Sequence, residues 1–244
     1  MKIACLCATY KRGLLLQNAL ACFCLQQPSP LAEYGLFILD DAGEFNECDE
    51  SNVFLESTIT RYASLPKKYQ RLTDTAKEWG ADAYAVWDDD DVFLPWHLRQ
   101  MADAFNRGAE FYRLPHVWSN YAQKRGTVIL EPSAGRFHSS WGYTRRLYET
   151  AGGYSNSFLC SYDQEFGARL ARFDRVPFVD PSYLPSYVYR WGSGAWNISQ
   201  RGEAGYQLLW DSLETIKQRP AGKLVPLLDQ ETRDILQWVQ QRPN

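Results

Sequence analysis

Three short apolar runs, each stopped abruptly by polar residues, constrain this chain more than any other feature. Residues 2–8 (KIACLCA), 35–39 (GLFIL) and 83–87 (AYAVW) are almost continuously hydrophobic. Strands read this way when both faces of a parallel sheet are covered, whereas a half-exposed strand alternates. The runs end in Thr9-Tyr10-Lys11-Arg12-Gly13, Asp40-Asp41-Ala42-Gly43 and Asp88-Asp89-Asp90-Asp91. Helical spacing fills residues 14–25, closed by Gln26-Gln27-Pro28, and residues 69–79, closed by Gly80. Residues 95–106 follow as a helix with Pro95 near its first turn and Gly108 beyond its end. Residues 44–56 read as an irregular acidic stretch. Strands alternating with helices predict an α/β chain whose mostly parallel sheet is covered on both faces. Ligands bind such sheets at the carboxyl ends of the strands, where all three polar clusters fall.

The second half is less regular. Strand-like pieces at 111–114 and 127–130 precede a helix near 145–150, the turn Gly152-Gly153 and a helix over 162–172. Two amphipathic helices, roughly 206–217 and 230–241, finish the chain. With 244 residues, 45% of them hydrophobic, a normal core is expected, and disorder, collagen and a disulfide-stapled miniprotein are excluded. No repeat or low-complexity linker divides the sequence, which reads as one domain in three parts: 1–110, 111–204 and 205–244.

The net charge of −3 asks for neither nucleic acid nor an anionic membrane. It is unevenly spread: residues 1–110 carry 10 basic and 17 acidic side chains, and the remainder 16 and 12. Aromatic residues reach 15%, more than one core usually needs, which points to rings for stacking on substrate. The absence of a transmembrane-length apolar stretch, and a start that runs directly into a strand, give a soluble, cytoplasmic protein as the expectation. Cys5, Cys7, Cys22, Cys24, Cys48 and Cys160 form two C-x-C pairs but no C-x-x-C, so reduced core thiols are expected rather than a zinc site.

Four adjacent carboxylates at a strand end repel one another and stay ionised in a cleft only beside a compensating cation. In extended backbone Asp88 and Asp90 share a face, offering hard oxygen ligands suited to Mg²⁺ or Mn²⁺. The plainer reading is a solvated acidic loop, which the preceding apolar strand disfavours by placing the run at the sheet's ligand edge. For Asp40-Asp41, a carboxylate that accepts from a nucleobase or ribose and an Asx turn are both open.

With these pieces in place, the chain resembles the family 2 glycosyltransferases, the inverting, nucleotide-sugar-dependent enzymes of the GT-A fold. The resemblance rests on an ordered set: Ala8-Thr9-Tyr10-Lys11-Arg12, Phe37-Ile38-Leu39-Asp40-Asp41-Ala42, Lys68-Tyr69-Gln70-Arg71, and Val86-Trp87-Asp88-Asp89-Asp90-Asp91 with Pro95. It continues through Gly152-Gly153-Tyr154 and the run from Tyr162-Asp163-Gln164-Glu165 to Leu170. It implies a Rossmann-like sheet with a nucleotide-sugar-binding half (1–110), an acceptor-binding and catalytic half (111–204) and C-terminal helices (205–244). It further implies that Thr9, Tyr10 and Arg12 line the nucleotide pocket, with Asp41 on the base and Asp40 the neighbouring candidate. Lys68 lies near the ribose or diphosphate. Asp88, with Asp89 beside it, faces the ribose and metal, and Asp90 sits on the metal, Mn²⁺ or Mg²⁺. Asp163 matches the catalytic base, with Glu165 second.

An inverting transfer is a single displacement, so one carboxylate must take the acceptor's proton while cations stabilise the departing diphosphate. Lys68, Arg145 and Arg146 are the cationic candidates, although a surface role suits the two arginines equally. Asp163 could instead complement a helix amino terminus. Two features depart from the family: Tyr162 stands where another acidic residue is usual, and the late loop, Arg190 through Ser199, contains no His. The chain's three are His97, His116 and His138. Asn197 substitutes as an oxygen ligand, or the third protein ligand is absent. Without Q-x-x-R-W, transfer of a single sugar is expected, from a UDP-sugar to a glycan or glycolipid hydroxyl. Arg113, Lys124, Arg125, Arg136, Arg145 and Arg146 also permit an anionic acceptor, including a hydroxylated base flipped from DNA, although the net charge disfavours nucleic acid. A nucleotidyltransferase is disfavoured by the single glycine in residues 9–13. A non-catalytic carbohydrate-binding module would use Trp141, Trp191 and Trp196 as its platform.

Overall fold

The computed structural model describes residues 1–121, 128–157, 161–176, 180–191 and 221–241. Its centre is a six-stranded sheet. β1 (Lys2–Thr9) lies between β2 (Glu33–Asp40) and β5 (Ala83–Val86), parallel to both, and β4 (Val53–Ser57) extends the parallel run beyond β2. β10 (Gly142–Thr144) adds antiparallel to β5, and β7 (Phe111–Tyr112) closes the far edge. Strands from the second half of the sequence thus complete the sheet begun by the first.

The continuous apolar runs have a direct cause. Ile3, Cys5 and Cys7 face one side of the sheet and pack with Leu16, Ala19 and Leu20 of α1 (Gly13–Cys24). Ala4 and Leu6 face the other, with Tyr69, Leu72 and Ala76 of α2 (Leu65–Glu78). α3 (His97–Asn106) joins the α1 layer through Leu98, Met101 and Phe105. α4 (Arg145–Ala151) and α5 (Tyr162–Phe173) join the α2 layer through Leu147, Phe166 and Leu170. Burial on both faces leaves no position for a polar residue until the strand ends, and it raises the Cys5 and Cys7 thiols well above their ordinary range.

A second sheet runs β6 (Val92–Phe93), β11 (Tyr187–Trp191), β8 (His116–Tyr121), β9 (Val128–Pro132). A parallel pair joins β3 (Phe45–Cys48) to β12 (Gly222–Leu224). The last helix, Gln230–Gln240, buries Ile235, Leu236 and Val239 in the α1 layer. Its capping residue Asp229 accepts from the Thr232 amide at 2.7 Å and exchanges two hydrogen bonds with the Asn18 side chain of α1. Among the described residues no helix is long and apolar enough to cross a membrane.

The stretch read as irregular, 44–56, carries β3 and β4. β3 pairs with a strand distant in sequence and β4 is a half-buried sheet edge, so neither shows a continuous apolar run. α2 begins at Leu65 rather than Tyr69, because Ser64 accepts from the Lys67 amide and Pro66 occupies the first turn. The helix expected over 206–217 and Cys160 lie outside the described residues.

His97 is wholly buried among Trp87, Phe93 and Tyr112, with Nδ1 2.8 Å from the Ser186 hydroxyl, and burial pushes its pKa down to about 3. The unfolded chain takes up this proton near pH 6.5 and the folded chain does not. Stability is therefore complete above that pH and falls as pH drops, by about 1.4 kcal/mol per unit for this histidine. Denaturant titrations of the intact chain and His97→Gln between pH 7 and 5 are expected to differ in slope by up to about one proton, the variant losing less stability as pH falls. An unchanged slope would contradict the assignment.

Candidate active site

Beyond β5 the chain turns through the four aspartates, and their side chains part alternately. Asp89 and Asp91 are buried, at 1% and 3% exposure, while Asp88 and Asp90 remain partly open. Asp89 accepts from the Thr9 hydroxyl at 2.6 Å and from Arg12 Nη1 at 2.7 Å. Asp91 accepts from the Tyr187 hydroxyl at 2.5 Å and the Arg190 amide at 2.9 Å. Asp88 accepts from the Tyr69 and Ser139 hydroxyls, one at each oxygen. Asp90 meets Arg12 Nη1 at 3.1 Å, and its backbone carbonyl accepts from Arg190 Nε. Burial, opposed by Arg12, pushes Asp90 up to about 6; burial and the neighbouring aspartates raise Asp91 well above the carboxylate range. Arg12, despite its own burial, is held charged by Asp89 and Asp90.

The two aspartates after β2 divide differently. Asp40 accepts from the amides of Ala42, Glu44 and Phe45 and from the Ser57 hydroxyl, so its carboxylate builds the loop into β3. This is the Asx-turn alternative, with the Asp40 carboxylate buried in the loop's own hydrogen bonds. Asp41 pairs with Lys68 Nζ and accepts from the Tyr62 amide at 3.0 Å; Lys68 also reaches the Thr9 carbonyl at 3.1 Å. Burial lowers the Lys68 pKa, and Asp41 opposes it. Beside this pair the Tyr10 ring carries the Arg61 guanidinium at 4.3 Å, Lys11 Nζ at 5.3 Å and Lys68 Nζ at 5.5 Å. Lys11 after β1 and Arg61 ahead of α2 thus form a cationic rim around Tyr10, with the buried Lys68–Asp41 pair behind it, next to the acidic turn after β5.

Asp163 stands in the first turn of α5. The preceding Tyr162 packs its ring 6.1 Å from Tyr69 and 5.6 Å from His138, and both of those neighbours adjoin Asp88, through Tyr69 itself and through Ser139. His138 is held neutral by burial, and the charges of Asp88 and Asp163 both act against that shift, so one imidazole feels both carboxylates. Asp163 accepts from Gln164 Nε2 at 3.0 Å, whereas Glu165 is bound by Arg169 through two nitrogens at 2.5 and 2.8 Å. Glu165 is thereby committed to its own helix.

Of the two readings left open for Arg145 and Arg146, the surface role is the one seen: Arg145 stands 3.8 Å from Asp82, at the amino end of β5, and Arg146 pairs with Glu110, so neither approaches the acidic turn. The arginines that do are Arg12 and Arg190. Trp141 is 1% exposed and packs edge-on against Phe111 and His138, which excludes it as a stacking platform. Asn197 and Trp196 lie outside the described residues. Sequence reading passed over Tyr69, Ser139, Tyr187 and Arg190 as partners of the aspartates; of these only Tyr69, beside Lys68, stood in a motif.

Among the described residues no group of three His, Cys, Asp or Glu is placed to cage a metal. The two open carboxylates, Asp88 and Asp90, are an oxygen-only set, which fits a divalent ion held by one or two carboxylates with substrate phosphates completing its shell.

No family model matches the chain, and no curated protein matches it significantly in sequence. Solved structures do match in fold. S. aureus TarS 1-349 in complex with UDP aligns with a TM-score of 0.59 at 13% identity, covering 78% of this chain and 60% of that one. Its complex with UDP-GlcNAc gives 0.59 at 14%, covering 78% and 58%. The mannosyltransferase PcManGT from Pyrobaculum calidifontis, in complex with GDP-Man and Mn²⁺, gives 0.53 at 12%, covering 88% and 65%. The chain spans about three fifths of the length of these two TarS chains. The mixed α/β fold with a mostly parallel central sheet, expected from the alternating strands and helices, is the one these neighbours share.

Gly167 lets α5 seat directly on Trp141, since a Cβ there would lie 2.3 Å from the indole. Gly167→Ala is expected to destabilise the fold by about 1–3 kcal/mol, the usual cost of overpacking a core. Denaturant unfolding checks this, and a neutral result would mean that α5 does not sit this close.

Proposed function

We propose that this protein is a metal-dependent, inverting glycosyltransferase that moves a single sugar from a nucleotide sugar, UDP-linked, to an acceptor hydroxyl of a glycan or glycolipid. The observation that carries the reading is the convergence at the strand ends: two open aspartates beside a cationic rim, with Asp163 one aromatic layer away. The ligands in the neighbours' structures, UDP and UDP-GlcNAc with TarS and GDP-Man with Mn²⁺ in the mannosyltransferase, support a nucleotide-sugar donor and a divalent ion.

In this reading Tyr10 lies against the nucleoside, Thr9, Asp41 and Lys68, buried and bonded to one another, shape the pocket from behind it, and Arg12 brings positive charge toward the diphosphate. Asp88 and Asp90 would hold the divalent ion, which when bound neutralises charge developing on the leaving diphosphate. Asp163 takes the proton of the acceptor hydroxyl as its oxygen bonds to the anomeric carbon, while the bond from that carbon to the diphosphate breaks on the opposite face. Glu165, bound by Arg169, drops behind Asp163 as the base. Arg136, largely exposed and 3.6 Å from Glu131, stands beside Gln164 and would read an anionic group on the acceptor by exchanging that partner for it.

A thermal-shift screen of UDP- and GDP-sugars with and without Mn²⁺ tests the donor. A true donor at about 100 times its Kd adds about 2.7 kcal/mol to stability, and no shift with any nucleotide sugar would refute the reading. Asp163→Asn is expected to abolish release of nucleoside diphosphate while nucleotide-sugar affinity stays within about twofold; retained turnover would remove Asp163 from the mechanism. Asp90→Ala is expected to weaken the Mn²⁺-dependent part of binding by about 10-fold or more, and an unchanged titration would count against the metal site.

A further inference from the structure

We infer that Arg190 is a positioning residue for the donor site, and that through it the first turn of the C-terminal helix braces the acidic turn that would hold the diphosphate. The inference rests on the glycosyltransferase reading and extends it to parts of the chain that touch no substrate. Arg190 lies in β11 and is 2% exposed. Its amide donates to Asp91 Oδ1 at 2.9 Å, its Nε to the Asp90 carbonyl, and its Nη1 to the Thr232 hydroxyl at 3.4 Å. Tyr187, on the same strand, holds the other Asp91 oxygen.

A guanidinium is a costly choice for a purely structural tie, because its charge is desolvated and its Nη2 is buried with no partner among the described residues. What it offers in return is direction: a planar fork fixes the carbonyl on one edge and the hydroxyl on another, which an apolar side chain does not do. Asp90 is consequently gripped twice, at its carboxylate by Arg12 ahead of α1 and at its carbonyl by Arg190. Both grips lead to one place. Asn18 of α1 is bonded to Asp229, the cap of the last helix, and Thr232 three residues later holds Arg190. The loop of contacts Asp90, Arg12, α1, Asp229, Thr232, Arg190 closes on itself and fixes the position of Asp90.

The test compares the intact chain with Arg190→Gln, Arg190→Lys and Thr232→Val. Melting temperature is measured without ligand, and calorimetric affinity for UDP, and separately GDP, is measured with and without Mn²⁺ well below melting. Arg190→Gln is expected to weaken Mn²⁺-dependent nucleotide binding about 10-fold, Arg190→Lys to recover part of the loss, and Thr232→Val to weaken it severalfold. Lowered melting temperatures with unchanged affinities would make Arg190 merely structural and overturn the inference. If Arg190→Gln does not fold, the isosteric Thr232→Val decides: unchanged affinity overturns the inference, weakened affinity supports it. Failure of the unmodified chain to bind either nucleotide would instead overturn the glycosyltransferase reading, and this inference with it.

Discussion

Mutual repulsion among Asp88, Asp89, Asp90 and Asp91 is the constraint around which the molecule is arranged. Two like charges 4 Å apart cost about 4 kcal/mol at an effective dielectric constant of about 20, and burial adds desolvation. The chain divides the four. Asp89 is given to Thr9 and Arg12, tying the turn to β1 and the start of α1, and Asp91 is given to Tyr187 and Arg190, tying it to β11. Asp88 and Asp90 stay partly open beside uncharged hydroxyls and one shared arginine. Architecture takes one pair and leaves the other partly exposed.

A layer of rings connects the surroundings of Asp88 to the helix that carries Asp163. Tyr69 stacks on Tyr154 at 5.0 Å, and His138, whose Nε2 lies 3.0 Å from the Tyr154 hydroxyl, packs edge-on to Tyr69 and Tyr162. Such pairs add about 0.5–1.5 kcal/mol each beyond area burial, and their fixed geometry makes a stiff floor between two carboxylates carried by different elements. The aromatic excess, read from sequence as a sign of substrate stacking, is spent largely on this layer and on the core: Trp87, Trp141, Tyr84 and Tyr143 are fully buried.

What the sequence made legible follows from where each signal is written. β1, β2 and β5 announce themselves because burial on both faces removes every polar residue between their ends, and the acidic turn is placed by the strand that precedes it. β3, β10, β11 and β12 are short and owe their existence to distant partners, such as β3 to β12, which no local pattern records. Asp40 and Asp41 were inseparable in sequence because both an Asx turn and a ligand contact use the same residue type. For Arg145 and Arg146 a diphosphate role and a surface role stayed open because a charge on a helix does not say which end of the sheet it will reach. The Glu165–Arg169 pair has the four-residue spacing of a helical ion pair, a local signal that the reading of Glu165 as a second base passed over. The Arg190 contact with Asp90 spans a hundred positions and has no local trace.

The central claim is that the turn after β5 is where an activated sugar's diphosphate is held. Crystals grown with UDP and Mn²⁺ and measured at the manganese absorption edge test it most directly. The account predicts one anomalous peak within metal–oxygen bonding distance of Asp88 or Asp90, sharing diphosphate oxygens, with the uracil lying by Tyr10 and Asp41. A well-ordered nucleotide bound elsewhere on the molecule, with no peak at those aspartates, would contradict it.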